Sequence, residues 1–292
     1  MFRPVLAFSL LTLSSLSVAS EQATKAETLP LYYSNKGHAY VLADIDHQKQ
    51  LPMILDTAAT MGVLPIAMKD KLATSKDAIQ TIEVQGAVST RNLELLTANS
   101  TSVGSHNVPE LGYVFQDMNS LQAKDGSALG ILGYGFLSQH CIEFDFSESQ
   151  LALSKTACSS NTVQGLREAD FYLKDNLIRI KTKFNGKTVD AVLDTAAPNS
   201  YVNESLFKQL DVEVLEEDVA RGLNDQTVVK NKLSSVSYQL GETLVTDKEV
   251  FLSNMPVFSV LGYKDKPFFL IGLDYFKSNR LVVDYHANKI YF

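Results

Sequence analysis

The tetrapeptide Asp-Thr-Ala-Ala occurs twice in this sequence, beginning at Asp56 and at Asp194. If the two copies meet, the two aspartates form a pair of carboxyl groups. Two carboxyl groups in contact cannot both be charged, so they share one proton and together supply a general base and a general acid. Hydrolysis of a peptide bond by water needs both groups, because the base activates the water and the acid protonates the carbonyl oxygen or the leaving nitrogen.

A repeated tetrapeptide is a weak signal by itself, since a single Asp-Thr often turns a loop or caps a helix. The residues in front of each copy favour another interpretation. Both copies follow an apolar run that ends in leucine, at residues 53–55 and 191–193. Such a run is typical of a buried strand that carries an aspartate at its end.

A second pair of matching segments follows each aspartate motif. Residues 130–153 align without a gap with residues 269–292, and both contain an apolar-apolar-Gly triplet, at 131–133 and 270–272. These segments are offset by 139 residues, against 138 for the aspartate motif. Two blocks that keep nearly the same offset indicate an internal duplication.

The duplication divides the mature chain into lobe 1, residues 29–155, and lobe 2, residues 166–292. A polar join rich in Ser, Thr and Asn connects them. Each lobe is expected to close with a hairpin, which turns at residues 147–150 in lobe 1 and at 286–289 in lobe 2.

Both lobes are predicted to be mostly strand, so the fold class is all-β: two small barrel lobes related by a pseudo-two-fold axis. Strands are predicted at residues 39–45 and 177–184, and the second ends at Asn185-Gly186, a strong hairpin signal. Short helices are predicted near Pro65 and Asn203 and at residues 136–139 and 275–278.

The pattern of an apolar run, Asp-Thr-Ala-Ala and a later apolar-apolar-Gly block resembles the retropepsin-like aspartic protease family. The resemblance covers nearly the whole mature chain, twice. Viral members carry one lobe per chain and pair two chains, whereas pepsin-like relatives carry both lobes in a longer chain. This sequence is similar to a third arrangement, two retropepsin-sized lobes fused in one chain.

The resemblance implies that Asp56 and Asp194 are the catalytic pair of an aspartic endopeptidase that acts on peptides or proteins. It further implies that Thr57 and Thr195 cross-bond at the lobe interface and hold the aspartates close. No metal and no organic cofactor is implied. One chain supplies both lobes, so a monomer is expected.

At two positions the Asp-Thr-Ala-Ala motif differs from that of retropepsin-like or pepsin-like relatives. The third position is Ala58 or Ala196, where the family pattern has glycine, which permits close backbone approach. This departure leaves an alternative open: a non-catalytic peptide-binding module on the same fold. A third possibility is that the two lobes do not face each other and the repeat is purely structural.

The fourth motif position, at Ala59 and Ala197, is alanine as in many retropepsins, whereas pepsin-like relatives often place a hydroxyl group there. A hydroxyl bonded to a carboxylate stabilises its charged form, so its absence favours protonation. We therefore expect a mildly acidic rather than a strongly acidic optimum.

Members of the family close a hairpin flap over the substrate. Gly86 and Gly222 lie 30 and 28 residues after the two aspartates and are candidates for the flap tips. The alternative is that both are ordinary hairpin turns.

The first twenty residues have the composition of a secretory signal peptide. Arg3 precedes a mostly apolar stretch at residues 5–18. The small residues Val18, Ala19 and Ser20 lie at its end. The alternative is an uncleaved N-terminal anchor. No later stretch approaches 18 consecutive apolar residues, so the mature chain is expected to be secreted or periplasmic, without a membrane span.

The remaining composition excludes several partners and sites. A net charge of −7 argues against nucleic-acid binding, which needs a basic surface.

Cys141 and Cys158 are expected to form a disulfide in an exported protein, the alternative being two separate buried thiols. The five histidines show no metal-ligand spacing and are interpreted mostly as surface or turn residues: His38, His47, His106, His140 and His286.

Overall fold

The structure is a computed structural model that describes residues 27–72, 79–85, 90–221, 227–246, 248–277 and 279–292. The predicted signal peptide, residues 1–20, lies outside the described residues. The predicted flap tips Gly86 and Gly222 lie outside them too.

The described residues form short strands and a few helices of one turn. The strands are β1 (Glu27–Pro30), β2 (Tyr32–Tyr33), β3 (Ala39–Ile45), β4 (Gln48–Leu55), β5 (Gly62–Pro65), β6 (Ile79–Gln85), β7 (Thr90–Ala98), β8 (Thr101–Val103), β9 (His106–Val108), β10 (Leu111–Gln116), β11 (Gly130–Leu132), β12 (Cys141–Asp145), β13 (Gln150–Ser154), β14 (Glu168–Asp170), β15 (Tyr172–Lys174), β16 (Leu177–Phe184), β17 (Lys187–Leu193), β18 (Ser200–Val202), β19 (Val214–Arg221), β20 (Thr227–Leu233), β21 (Tyr238–Leu240), β22 (Thr243–Val245), β23 (Val250–Leu252), β24 (Phe268–Ile271), β25 (Arg280–Asp284) and β26 (Lys289–Tyr291). The helices are α1 (Lys69–Leu72), α2 (Tyr134–Leu137), α3 (Ser160–Val163), α4 (Glu204–Phe207) and α5 (Pro256–Val260), with 3-10 turns at Ile66–Met68 and Leu273–Tyr275.

Two ten-stranded sheets carry the two halves of the chain. The strand order of the first is β6-β7-β10-β5-β11-β4-β3-β8-β9, with β2 paired to β3. The order of the second is β19-β20-β23-β18-β24-β17-β16-β21-β22, with β15 paired to β16. Each strand of the first sheet has a counterpart at the same place in the second. The predicted fold class, two pseudo-symmetric β lobes with a few short helices, is confirmed.

A third sheet of six strands joins the two lobes, in the order β1-β13-β12-β25-β26-β14. The predicted closing hairpins, β12–β13 and β25–β26, pair with each other in its centre. Glu143 lies opposite Val282, its own counterpart in the second copy, so the pseudo-two-fold axis passes through this pair. The sequence patterns predicted both hairpins but not that they pair.

One large apolar core runs through both lobes and the central sheet. Its buried members include Leu55 in lobe 1, Ile271 in lobe 2, and Phe144 and Val283 in the central sheet. Since β12 and β25 contribute to the same core as both lobes, the apolar packing continues from one lobe to the other.

Local chemistry accounts for several element boundaries. Asn185 and Gly186 have φ values of 42° and 79°, the positive angles that a tight two-residue hairpin turn requires. The Asn203 side chain accepts a hydrogen bond from the Leu206 amide and so caps α4 where a helix start was predicted. The helix predicted at 136–139 begins earlier, at Tyr134.

The polar join contains a feature that its composition did not indicate. It forms α3, whose start is capped by the Ser159 hydroxyl, which accepts from the Thr162 amide at 3.1 Å. A disulfide joins Cys141 and Cys158 as predicted, with 5.2 Å between their Cα atoms. The join is thereby tied to the first residue of β12. None of the helices in the described part of the chain is long and apolar enough to cross a membrane.

Candidate active site

Each aspartate of the repeated motif follows a strand in the middle of its lobe. Asp56 comes directly after β4 and Asp194 directly after β17. Their amides donate hydrogen bonds to carbonyl oxygens of the neighbouring parallel strands, Asp56 to Leu132 at 3.0 Å and Asp194 to Ile271 at 2.9 Å. The apolar-apolar-Gly blocks therefore hold the loops that carry the aspartates.

The glycine of each block is required by close backbone approach. A Cβ atom added to Gly133 would lie 2.6 Å from the Ala59 carbonyl oxygen, and one added to Gly272 would lie 2.2 Å from that of Asn199. The residue after each glycine donates its amide to the same loop, as Leu273 does to the Ala197 carbonyl at 2.9 Å. Only glycine permits the strand and the loop to come this close.

Thr57 and Thr195 join the two loops across the lobe boundary. Each threonine amide donates to the other's Oγ1 at 3.1 Å. Each hydroxyl in turn donates to a carbonyl of the opposite lobe, Thr57 to Leu193 at 2.7 Å and Thr195 to Leu55 at 2.6 Å. Both threonines are buried, and each hydroxyl both accepts and donates. These four bonds bring one aspartate from each lobe to the same place.

Backbone amides surround the two carboxyl groups. Ala58 donates to Oδ1 of Asp56 at 2.8 Å, and Ala196 and Ala197 both donate to Oδ1 of Asp194 at 2.9 Å. Both aspartates are partly exposed, while the threonines beneath them are buried. The carboxyl groups thus lie at a solvent-accessible surface above a closed floor.

Although both aspartates are partly exposed, the protein around their carboxyl groups displaces water, and this desolvation raises the pKa of both. For Asp56 the charge of Asp194 raises the pKa further, and the amides of its own loop oppose the change. For Asp194 burial is again the largest cause, opposed by the Ala196 and Ala197 amides. The two carboxyl groups therefore titrate as a coupled pair that holds one proton between them.

A small apolar cluster packs beside the dyad in each lobe. We call them the lobe 1 wall and the lobe 2 wall. The lobe 1 wall consists of Tyr40, Ile54, Met118, Leu121, Ala123, Leu129 and Ile131. The lobe 2 wall consists of Val192, Tyr201, Phe251, Phe258, Tyr263, Phe268 and Leu270.

The alanines that replace the family's glycine contact these walls crosswise. Ala58 of lobe 1 packs against the lobe 2 wall, and Ala196 of lobe 2 packs against the lobe 1 wall. The two methyl groups are thus accommodated at the boundary between the lobes. Their symmetric placement explains why both copies can carry the same departure.

The hairpins predicted to form flaps are present up to their tips. In lobe 1 the strands β6 and β7 pair as far as Gln85 and Thr90, and in lobe 2 β19 and β20 pair as far as Arg221 and Thr227. The flap assignment of Gly86 and Gly222 remains a prediction, because both tips fall outside the described residues.

One residue near the dyad was missed by the sequence interpretation. His38, assigned with the surface and turn histidines, places Nδ1 2.8 Å from the carbonyl oxygen of Ala196 in the other lobe. Its position directly before β3, the strand paired to β4, put it near Asp56. No local pattern indicated the contact across the lobes. His140 was also misjudged, since its side chain is fully buried.

The fold and the site define a class of protein: two similar β lobes in one chain, each of which contributes one aspartate to a pair joined through hydrogen-bonded threonines. The sequence pattern described as "Aspartyl protease" matches the chain twice, at residues 41–136 and 180–275. The chain belongs to this aspartyl protease family, with one family unit in each lobe. A search among curated proteins found no match.

Proposed function

We propose that the protein is an exported aspartic endopeptidase that hydrolyses peptide bonds through a water activated by Asp56 and Asp194. Family membership supports a protease-type function on peptide or protein substrates. The observation that carries the proposal is the reciprocal bonding of Thr57 and Thr195, which brings the two aspartate loops together.

The two carboxyl groups have different roles in the proposed reaction. The charged Asp194 takes a proton from the water, whose oxygen attacks the carbonyl carbon of the peptide. The protonated Asp56 donates its proton to the carbonyl oxygen, which gives a neutral tetrahedral diol. Return of a proton to the nitrogen and breakage of the C–N bond then release an amine and a carboxylic acid.

Export is proposed from two features. Residues 1–20 have the pattern of a cleavable leader. The Cys141–Cys158 disulfide suits an oxidising compartment such as the periplasm or the extracellular space.

The test is cleavage of an unfolded protein mixture between pH 3 and 7 by the wild type and by the variants Asp56→Asn and Asp194→Asn. We expect either substitution to reduce cleavage to background, because the pair then lacks its base or its acid. Asp211→Asn is the matched control, since Asp211 is an exposed aspartate outside the motif. Equal cleavage by the wild type and both dyad variants would refute the catalytic assignment.

A non-catalytic peptide-binding module is the second candidate. The observation that favours it is the alanine at the third motif position, Ala58 and Ala196. Binding of peptides by the wild type without turnover at any pH in the same assay would support this candidate over the endopeptidase.

A further inference from the structure

His38 makes the two halves of the dyad unequal. The four threonine hydrogen bonds come in pairs related by the pseudo-two-fold axis. The bond from His38 to the Ala196 carbonyl belongs to one side only. Tyr40 lies opposite Ile54 in lobe 1 as Arg179 lies opposite Val192 in lobe 2, so Leu177 takes the place of His38 in lobe 2. A leucine side chain has no hydrogen-bond donor.

The acceptor of this bond belongs to the loop whose amides bond the Asp194 carboxyl group. The carbonyl of Ala196 and the amide of Ala197 belong to one peptide unit. That amide donates to Oδ1 of Asp194 at 2.9 Å, while the carbonyl accepts from His38 Nδ1 at 2.8 Å. One peptide unit therefore connects the imidazole to the carboxylate. Hydrogen bonds in such a chain polarise one another, so a donor on the carbonyl strengthens the amide as a donor.

The surrounding turn fixes the backbone of His38. The His38 amide donates to Ser34 Oγ at 3.1 Å, and the Ser34 amide donates to the His38 carbonyl at 3.0 Å. Gly37 has a φ of +83°, which lets the turn close this tightly. A carbonyl oxygen can only accept, so Nδ1 carries the hydrogen in both the neutral and the charged imidazole.

Burial lowers the pKa of His38, and its bond to the Ala196 carbonyl opposes this change. The positive charges of Lys36 from its own turn and Lys277 from lobe 2 also lower the pKa. Among the described residues, the charge of Asp194 raises the pKa of Tyr201 and the charge of Asp56 raises the pKa of Tyr285, in addition to the larger effect of burial. Because Nδ1 carries a hydrogen in both the neutral and the charged imidazole, His38 can donate to the Ala196 carbonyl whichever form is present.

We propose that His38 is a positioning residue that acts through the peptide unit 196–197 to favour the charged form of Asp194, and so assigns the base role to lobe 2 and the acid role to lobe 1. This inference rests on the proposed dyad function, since the roles concern that reaction. A side chain of lobe 1 would thereby control the protonation of the aspartate of lobe 2.

Three variants test the inference, two at position 38 and one control at position 47. His38→Leu removes the donor and copies the residue of lobe 2. His38→Asn keeps a donor nitrogen close to the place of Nδ1 but cannot be charged. His47→Asn is the control, since this exposed histidine precedes β4, whereas Asp56 follows its other end, and its Nε2 contacts the Lys71 carbonyl.

The first measurement is the pH–rate profile of peptide cleavage. We expect His38→Leu to move the acidic limb upward by about half a pH unit, which lowers the rate below that limb about threefold. His38→Asn and His47→Asn should keep the limb of the wild type. A purely structural role of His38 would lower the rate at every pH without moving the limb.

The second measurement does not require activity. Carbon-13 NMR of aspartate-labelled protein follows the titration of the dyad carboxyls, assigned with Asp194→Asn. We expect the Asp194 resonance to titrate at higher pH in His38→Leu than in the wild type and in His38→Asn. Equal titration in all these proteins, or a His38→Asn protein that titrates like His38→Leu, overturns the inference. A wild type that cleaves no peptide refutes the proposed function instead, and the NMR titration still decides the role of His38.

Discussion

At the scale of single residues, the site depends on small polar groups that each serve two contacts. The Thr57 hydroxyl accepts from one residue of lobe 2 and donates to another. Replacing it would leave a buried amide and a buried carbonyl without partners, a larger penalty than the loss of one exposed hydrogen bond. The threonine side chains therefore make the meeting of the lobes specific rather than merely apolar.

The raised pKa values of both aspartates predict the pH dependence of cleavage. Below the lower pKa of the pair the base becomes protonated, and above the higher pKa of the pair the acid loses its proton, so the profile is bell-shaped. Because burial raises both values, we expect the acidic limb to lie above the strongly acidic range and the optimum at mildly acidic pH. Initial rates measured from pH 2 to 9 check this, and a rate that rises steadily below pH 3 would contradict it.

At the scale of elements, the aspartate loops depend on the strands beside them. β11 and β24 each lie parallel to the strand that ends in the aspartate and antiparallel to the strand that follows it. The loop therefore leaves the sheet on one side of this strand and returns on the other. This geometry places the loop carbonyls close to the glycine that ends each apolar-apolar-Gly block.

A substitution at Gly272 tests this dependence. Gly272→Ala places a methyl carbon 2.2 Å from the Asn199 carbonyl oxygen, so backbone must shift. We expect a loss of unfolding free energy of about 1–3 kcal/mol or more, and reduced cleavage because the shift reaches the Asp194 loop. Urea denaturation and the cleavage assay measure the two effects.

Gly112→Ala is the control for that substitution. Its added Cβ would lie 3.4 Å from a leucine side chain, which is ordinary contact, so a change within about 0.5 kcal/mol is expected. If Gly272→Ala and Gly112→Ala were equally stable, the close approach at Gly272 would not constrain the loop.

At the scale of the whole molecule, the central sheet unites the lobes and contains an acid-sensitive contact at its border. His140 precedes β12, is fully buried, and contacts the ring of His106. Its Nδ1 donates to the Phe136 carbonyl at 2.9 Å, whereas Nε2 is buried without a partner among the described residues. A proton added to Nε2 would therefore be a buried donor with no acceptor.

Because His140 is buried, we expect the folded protein to lose stability in acid. Burial lowers its pKa from 6.5 to about 4 in the folded protein. The unfolded chain binds the proton more tightly than the folded protein does. The stability that neutral His140 contributes is therefore complete above pH 6.5 and is lost as the pH falls toward 4. The unfolding free energy decreases by up to about 3 kcal/mol over this range. Unfolding free energies measured by denaturant at pH 7.5 and 4.5 give the difference.

The variant His140→Asn separates this effect from other acid-sensitive groups. Asparagine keeps a donor for the Phe136 carbonyl but does not titrate, so the variant should lose less stability between the two pH values than the wild type. The same pH dependence in both proteins would show that His140 does not contribute. Since the proposed reaction works at mildly acidic pH, the enzyme would operate where this contribution begins to decline.

The secondary-structure elements and their duplication could be predicted from the residue pattern alone. Strands β3 and β16 have the predicted bounds, the Asn185-Gly186 turn has the predicted conformation, and Asn203 caps a helix where one was expected. These features follow from periodicity and turn chemistry, which act between residues close in the chain. The repeat also identified both aspartates, because each motif stands at the same place in its copy.

Which elements contact each other could not be predicted, because it depends on how the two lobes pack. The pairing of β12 with β25, the crosswise packing of Ala58 and Ala196, and the His38 bond to the other lobe join residues more than a hundred positions apart. Such contacts depend on how the two lobes pack as bodies, and no local pattern encodes that arrangement. For the same reason the duplicated sequence predicted a symmetric pair of aspartates, whereas the packed lobes contain a histidine contact on one side alone.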